Sequence, residues 1–353
     1  METRRLQKLK GGSYIISLPK EWVEKFKLRS GEEIVVSQET DGSLKLLPAT
    51  EDLHKPSEAI LNLEDNSDLR SIKYCAVTYY IQGSDRIRIV SKKIIPAEQK
   101  RQVKQLRAEL PGVEVSEEEA NQLTFQVLID PMGFSVESLI ERTFEFSLKL
   151  HEDVVKALVN LDFPLAMEVL ERSNEAQRHY RFTIRLVAIA AFNPKVSKKI
   201  GVRNCQDCIN FTLTIRDISR LIYYFSSIAN YVLSLKGKEV DREVLSSIEK
   251  ISRVAYEMQK NAMGAFLKKD IKLAIRVFDM MNDVRDLERA SLKKIMEKVA
   301  NVDSAITLSM IARDMRRIAG QAVAIADDAL NRVLRPSLRL NSGKESMTES
   351  GLC

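Results

Sequence analysis

Residues 157–178 read ALVNLDFPLAMEVLERSNEAQR, and residues 265–286 read AFLKKDIKLAIRVFDMMNDVRD. At an offset of 108 the two stretches share Ala157/Ala265, Asp162/Asp270, Leu165/Leu273, Ala166/Ala274, Val169/Val277 and Asn174/Asn282. A second pair, RDISRLIYYFSSIA (216–229) and RDMRRIAGQAVAIA (313–326), matches at an offset of 97, which makes the first copy eleven residues longer between its two segments. The excess is assigned to a loop within FNPKVSKKIGVRNCQD (192–207). From Ser135 to Leu334 apolar residues recur at helical spacing. A helical unit repeated at roughly 100 residues predicts two stacked bundles related by pseudo-symmetry. Shared apolar positions follow from packing alone, so the repeat speaks for architecture and not for function.

The chain begins differently. Residues 4–48 read RRLQKLKGGSYIISLPKEWVEKFKLRSGEEIVVSQETDGSLKLLP. Residues 4–9 alternate as a strand, Gly11-Gly12-Ser13 is a turn signal, and Tyr14–Leu18 is a second strand. Pro19 suits the first turn of a helix carrying Trp22, Val23 and Phe26. Gly31 ends it, EEIVVSQE is a third strand, and Thr40-Asp41-Gly42 turns into the fourth, SLKLLP. A ββαββ piece of this length has too little core to stand alone and calls for a partner. Residues 1–30 hold eight basic side chains (Arg4, Arg5, Lys8, Lys10, Lys20, Lys25, Lys27, Arg29) against three acidic ones (Glu2, Glu21, Glu24). That excess of five is nearly the whole-chain charge of +6.

The small-residue turn, the YIISLPKEWVEKFKLRSGEEIVV core and the closing DGSLKLLP resemble the AbrB/SpoVT DNA-binding domain. The resemblance implies an intertwined homodimer with swapped hairpins, which supplies the missing partner. It also implies that basic residues of the first strand, the following loop and the helix face double-stranded DNA: by position Arg4, Arg5, Lys8, Lys10, Lys20 and Lys25. Phosphate neutralisation with counterion release is the physical basis, so binding is expected to fall steeply with salt. Taken singly, each basic side chain reads equally well as part of a solvated face.

Between the two ends, residues 49–66 change in composition and are read as a linker. Residues 67–131 form a small α/β module: a helix over 67–82, a strand in SDRIRIVSKKIIP, a helix opened by Pro96, and strands VEVSEEE and QLTFQVLID. The tail from Arg335 to Cys353 is polar, lacks helical periodicity and is expected to be disordered. No run of about 18 uncharged apolar residues exists, so no membrane-inserted helix is expected. METRRLQ lacks a signal-peptide core, which places the chain in the cytoplasm. Cys75, Cys205, Cys208 and Cys353 are no disulfide framework. The C-x-x-C of Cys205 and Cys208 has no second pair to complete a zinc site.

The layout of the repeats, with RRIAGQAVAIAD, resembles the PhoU family of phosphate-uptake regulators. The resemblance implies PhoU-like tandem three-helix bundles over 132–334, with repeats of about 135–235 and 240–334. The fold class expected is therefore multidomain and mainly α: an AbrB-like swapped-hairpin β domain (1–48), a linker, a small α/β module and the helical bundles. PhoU domains often hold iron or zinc through an acidic pair at i, i+4 on each of two helices per repeat, which places both carboxylates on one face. Those positions fall here on Asn174 and Arg178, Ser219 and Tyr223, Asn282 and Asp286, Arg316 and Gly320. Seven of the eight are not acidic, so no metal and no other cofactor is expected. Arg178, and separately Arg316 with Arg317, bring positive charge there instead, and one such pocket is a candidate anion or partner site, using the guanidinium fork. Plain salt bridging of these arginines is the competing reading.

His54, His151 and His179 lie far apart, and no P-loop, dinucleotide fingerprint or nucleophile elbow occurs, so catalysis is not expected. The function expected is a DNA-binding transcriptional regulator of phosphate uptake, with the helical body sensing a ligand or a partner. The alternative is an adaptor that docks on phosphate-transport or phosphate-sensing proteins, its head serving only as a dimerisation clamp.

Overall fold

The computed structural model describes residues 2–38, 42–49, 57–64 and 68–334, in two units, Met1–Lys55 and Pro56–Cys353. In the first unit, β1 (Gln7–Lys8) and β2 (Tyr14–Ile15) pair antiparallel across a turn in which Gly12 takes φ +89°. A side chain is strained at that angle, which accounts for glycine there. Helix α1 (Lys20–Lys25) follows Pro19, and its Trp22 ring lies 5.2 Å from Phe26. Strands β3 (Ile34–Gln38) and β4 (Leu44–Pro48) close a second antiparallel pair. The ββαββ order agrees with the sequence, but the first two strands are shorter than expected, because the ladder covers only the residues nearest the turn. Thr40 and Asp41 of the expected turn lie outside the described residues.

The second unit opens with strand β5 (Glu58–Asn62), which corrects the reading of 49–66 as linker throughout. Its alternating burial, with Ala59 and Leu61 inside, shows a strand with one face in a core. The strand β5 pairs parallel with β6 (Arg86–Val90), and a parallel pair needs a crossover, here helix α2 (Leu69–Ile81). Helices α3 (Ala97–Lys104) and α4 (Leu106–Glu109) divide the single helix expected after Pro96. At that break Gln105 N–H bonds Gln102 and Ala108 N–H bonds Gln105, a tightening from α to 3₁₀ spacing. Strands β7 (Val113–Glu118) and β8 (Gln122–Val127) complete a sheet of order β5-β6-β8-β7, and Ile72, Ala76 and Tyr80 of α2 pack into its core.

Seven helices follow: α5 (Val136–Asn160), α6 (Phe163–Phe192), α7 (Pro194–Ile200), α8 (Cys205–Ser234), α9 (Arg242–Lys268), α10 (Ile271–Lys298) and α11 (Val302–Val333). Each starts on a side-chain cap, in order Ser135, Asp162, Asn193, Asn204, Asp241, Asp270 and Asn301. Such caps satisfy backbone N–H groups that no helical carbonyl can reach. The caps obey the repeat. Asp162 and Asp270 each accept from the N–H three residues on, and each follows a left-handed residue, Leu161 or Lys269, that ends the preceding helix. Asn204 and Asn301 correspond in the same way. Helices α5, α6 and α8 form one bundle, and α9, α10 and α11 the other. The extra length of the first copy is not all loop: α7 lies inside it, capped by Asn193 and ended at Gly201.

The bundles share one apolar core. Arg332 of α11 is buried in it, donating to the Phe266 carbonyl of α9 at 3.0 Å and reaching Glu137 of α5 at 3.2 Å. Arg185 of α6 joins the first bundle to the α/β module. It is 3% exposed and donates to the carbonyls of Tyr80 (2.9 Å) and Ser84 (2.6 Å) and to Asp85 (2.8 Å). The turn beneath it uses Gly83 at φ +98°, where a Cβ would stand 2.9 Å from Ile189 Cγ1 of α6. Among the described residues no helix is long and apolar enough to cross a membrane.

Candidate functional site

The head contains one buried residue among those described, Pro48. Its apolar side chains lie open: Tyr14, Ile15 and Ile16 on the first hairpin, Val35, Val36 and Leu44 on the second, with Val36 58% exposed. Strands that expose both faces and both edges have paired neither their side chains nor their outer backbone groups. The six basic residues expected to face DNA are all exposed. Arg4 pairs with Glu2, and Lys20 with Glu24 at 3.5 Å. The Lys8 ammonium lies 5.9 Å from the Tyr14 ring centre and that of Lys25 5.8 Å from the Phe26 ring. Lys8 and Lys10 flank the tip of the first hairpin, and Lys20 and Lys25 share α1.

In the helical body Arg178 lies on α6, and Arg316 and Arg317 lie on α11. Arg178, on α6, belongs to the contact with the α/β module: its Nε is buried with no hydrogen-bond partner among the described residues. Its charge, with those of Arg185 and Arg181, opposes the upward push that burial gives the Tyr80 phenol. Arg181 donates to the Glu109 carbonyl at 3.1 Å and to its carboxylate at 3.2 Å. Arg317 turns to its own helix, donating to buried Asp314 at 3.0 Å, with its guanidinium 5.9 Å from the Tyr224 ring. Arg316 opens on a cavity.

That cavity is an open groove of about 610 Å³ between α10 and α11, lined by Arg285, Glu288, Arg289, Leu292, Ser309, Met310, Arg313 and Arg316. It holds four guanidinium groups and one carboxylate. Glu288 pairs with Arg316 Nε at 2.9 Å, and Arg285 donates to Asn282 Oδ1 at 2.9 Å. Arg289 and Arg313 make no ion pair among the described residues. Arg285, Arg289 and Arg313 are absent from the site expected from sequence. Their signal was the i, i+4 spacing of Arg285 and Arg289 together with Arg313 one turn before Arg316 and Arg317.

The positions that carry metal ligands in PhoU proteins do not fit a divalent cation. Gln177 and Ser219 close the space between α6 and α8 by mutual hydrogen bonds (2.9 and 3.2 Å), at the level of Asn174 and Arg178. Tyr223 is turned outward. In the second repeat Asn282 and Asp286 are exposed, and Arg316 and Gly320 provide no carboxylate. No three His, Cys, Asp or Glu side chains among the described residues are placed to hold a metal. His151 is buried instead as a core group. Its Nδ1 lies 2.7 Å from Gln259 and its Nε2 2.8 Å from Ser252, and burial lowers its pKa to about 4. Of the cysteines, Cys205 is exposed at the start of α8, while burial pushes the Cys208 thiol up. His54, Cys353 and the tail from Arg335 lie outside the described residues.

Residues 248–329 match the family described as PhoU domain, and residues 7–53 that described as antidote-toxin recognition MazE, bacterial antitoxin. The chain therefore joins a MazE/AbrB-like N-terminal domain to a PhoU domain. Two curated relatives bear the name phosphate-specific transport system accessory protein PhoU homolog 1. That of Thermotoga maritima is 21% identical over 185 residues, covering 50% of this chain and 77% of the relative. That of Methanothermobacter thermautotrophicus is 24% identical over 192 residues, covering 53% and 86%. Among solved structures, PhoU from Pseudomonas aeruginosa matches 55% of this chain and 93% of its own at 20% identity and a TM-score of 0.48. The phosphate transport system regulatory protein PhoU from Streptococcus pneumoniae matches 55% and 91% at 16% identity and a TM-score of 0.47.

Proposed function

We propose that this chain is a DNA-binding transcriptional regulator of phosphate uptake that acts as a homodimer through residues 1–48. The observation that carries the reading is the head itself, in which apolar strands left uncovered and a concentrated positive charge occupy the same few residues. A second copy would bury Tyr14, Ile15, Val35 and Val36. Arg5, Lys8 and Lys10 of each hairpin would then meet the phosphates of one duplex, with Arg4, Lys20 and Lys25 beside them. Two heads on one duplex gain by effective concentration without many base contacts. The helical body, sharing its domain type with regulators of phosphate transport, supplies the response to phosphate status. The reading is of a cytoplasmic protein without catalytic activity.

The test is fluorescence anisotropy with the full chain and with a chain lacking residues 1–48. The probes are its own promoter, a phosphate-transport promoter and an unrelated duplex, over a salt series. Binding that prefers a promoter and disappears with the head is the expected result. Equal weak binding to all three by an intact dimer would refute it.

The names of the curated relatives favour a second reading, an adaptor that contacts a phosphate transporter or sensor while the head only dimerises. Charge reversal at Arg4, Arg5 and Lys8 separates the two. It abolishes regulation under the first reading and leaves it intact under the second, provided the dimer persists.

A further inference from the structure

The groove between α10 and α11 carries a net charge of +3, from four arginines and Glu288. Arg285 and Arg289 stand one turn apart on α10, and Arg313 and Arg316 one turn apart on α11. Like charges at such spacing repel along a helix, so this arrangement does nothing for the stability of either helix. Two of the four are held in place, Arg316 by Glu288 and Arg285 by Asn282. The other two, Arg289 and Arg313, are exposed and pair with no carboxylate among the described residues.

The shape restricts what such a groove would take. A single tetrahedral anion is too short to span guanidinium groups on both helices as fully as a chain of phosphates does, and an ion pair in an open, wet site is worth little by itself. Useful affinity requires several charges engaged at once. Leu292 and Met310 are the two apolar residues among the eight that line the groove, so it has few side chains to hold an acyl chain or a nucleobase. Ser309 spends its hydroxyl proton on the Ala305 carbonyl, leaving guanidinium groups as the donors that face the ligand. Arginine forks match phosphate oxygens in pairs and hold them in a fixed orientation.

We propose that this groove binds a small molecule with several adjacent phosphate groups, the chemistry of a condensed phosphate or of a nucleotide's phosphate chain. Arg285 and Arg316 form the fixed part of the cradle, and Arg289 and Arg313 close on the ligand. The site is on the helical body and does not depend on DNA binding by the head.

The experiment is calorimetric titration of the full chain with orthophosphate, pyrophosphate, tripolyphosphate and ATP, at about 0.1 M salt so that long-range attraction is screened. The expected result is one tripolyphosphate per chain, bound at least about ten-fold more tightly than orthophosphate because more forks are engaged. ATP should follow tripolyphosphate if the phosphate chain alone is recognised. R289E/R313E should abolish the heat while leaving the thermal midpoint unchanged, since both side chains are exposed, and R289Q/R313Q serves if the reversal disturbs folding. R289K/R313K keeps the charge without the fork and should weaken binding several-fold. R5E/K8E/K10E, in the head, should leave the titration unaltered. The proposal falls if tripolyphosphate gives no heat, if orthophosphate binds as tightly, or if binding survives R289E/R313E. It also falls if the head variant removes binding, or if a duplex competes for the groove more strongly than tripolyphosphate does.

Discussion

The head and the helical body solve the same problem in opposite ways. In the body, each helix turns one face inward, and side chains as large as Phe211, Phe225 and Phe266 are fully buried within a single chain. In the head, Ile16 and Leu44 remain more than half exposed. The body is stabilised by what it contains, whereas the head leaves its apolar strands uncovered. Charge divides along the same line. The body buries its arginines against carbonyls and carboxylates, as at Arg185 and Arg332, and leaves one groove rich in them. The head keeps its basic side chains in water.

Four measurements would break or sharpen this contrast. The largest effect on binding is expected in the head. R5E/K8E/K10E should cost about 100-fold or more in DNA affinity, and the slope of log affinity against log salt should flatten by about 3, as roughly three phosphate contacts are lost. Unchanged affinity would remove these residues from the interface. Next comes the body. Phe266→Ala should lower unfolding stability by about 3–5 kcal/mol in urea, by lost burial and a cavity beside Arg332. Val36→Asp in the head should leave that transition where it is and abolish the dimer in light scattering.

A third effect, near 3 kcal/mol, concerns pH. Burial holds the His151 pKa at about 4, below its ordinary 6.5. The unfolded chain therefore binds a proton between those values that the folded chain refuses. Stability from this group is full above pH 6.5 and falls by about 3 kcal/mol as the pH drops to 4. Asp328 runs the other way: burial raises its carboxyl to about 7, so its contribution is full below pH 3.8 and is lost as the pH rises through 7. The two slopes oppose each other between pH 4 and 6.5. Relative to the wild type, His151→Gln should tilt the curve towards lower stability at higher pH there, and Asp328→Asn should tilt it the other way. Parallel curves for all three proteins would refute both assignments. Last, Gly201→Ala should cost only about 1 kcal/mol, because a Cβ there meets nothing and only the left-handed backbone resists it.

The parts legible in the sequence are the local ones. Helix caps such as Asp162 and Asp270 act on N–H groups three residues away, and the inward faces repeat every three or four residues, so a linear reading finds both. Strand β5 was missed because EAILN is short, and its partner β6 lies beyond a helix. The helix α7 was hidden in the inserted segment, where seven residues between Asn193 and Gly201 look like loop. The grouping of Arg316 with Arg317 failed for a geometric reason: successive residues stand about 100° apart around a helix. One faces the groove and the other faces Asp314.

The sequence by itself determined the ββαββ order of the head and its excess of positive charge. It also determined the duplication of the helical unit. Each of these depends on residue type and short-range spacing. Only the tertiary structure decided that Arg178 belongs to the contact with the α/β module, and that Arg285, Arg289 and Arg313 gather with Arg316 in one groove. Which faces of two helices meet depends on the packing of their buried sides, and no spacing along either helix records it.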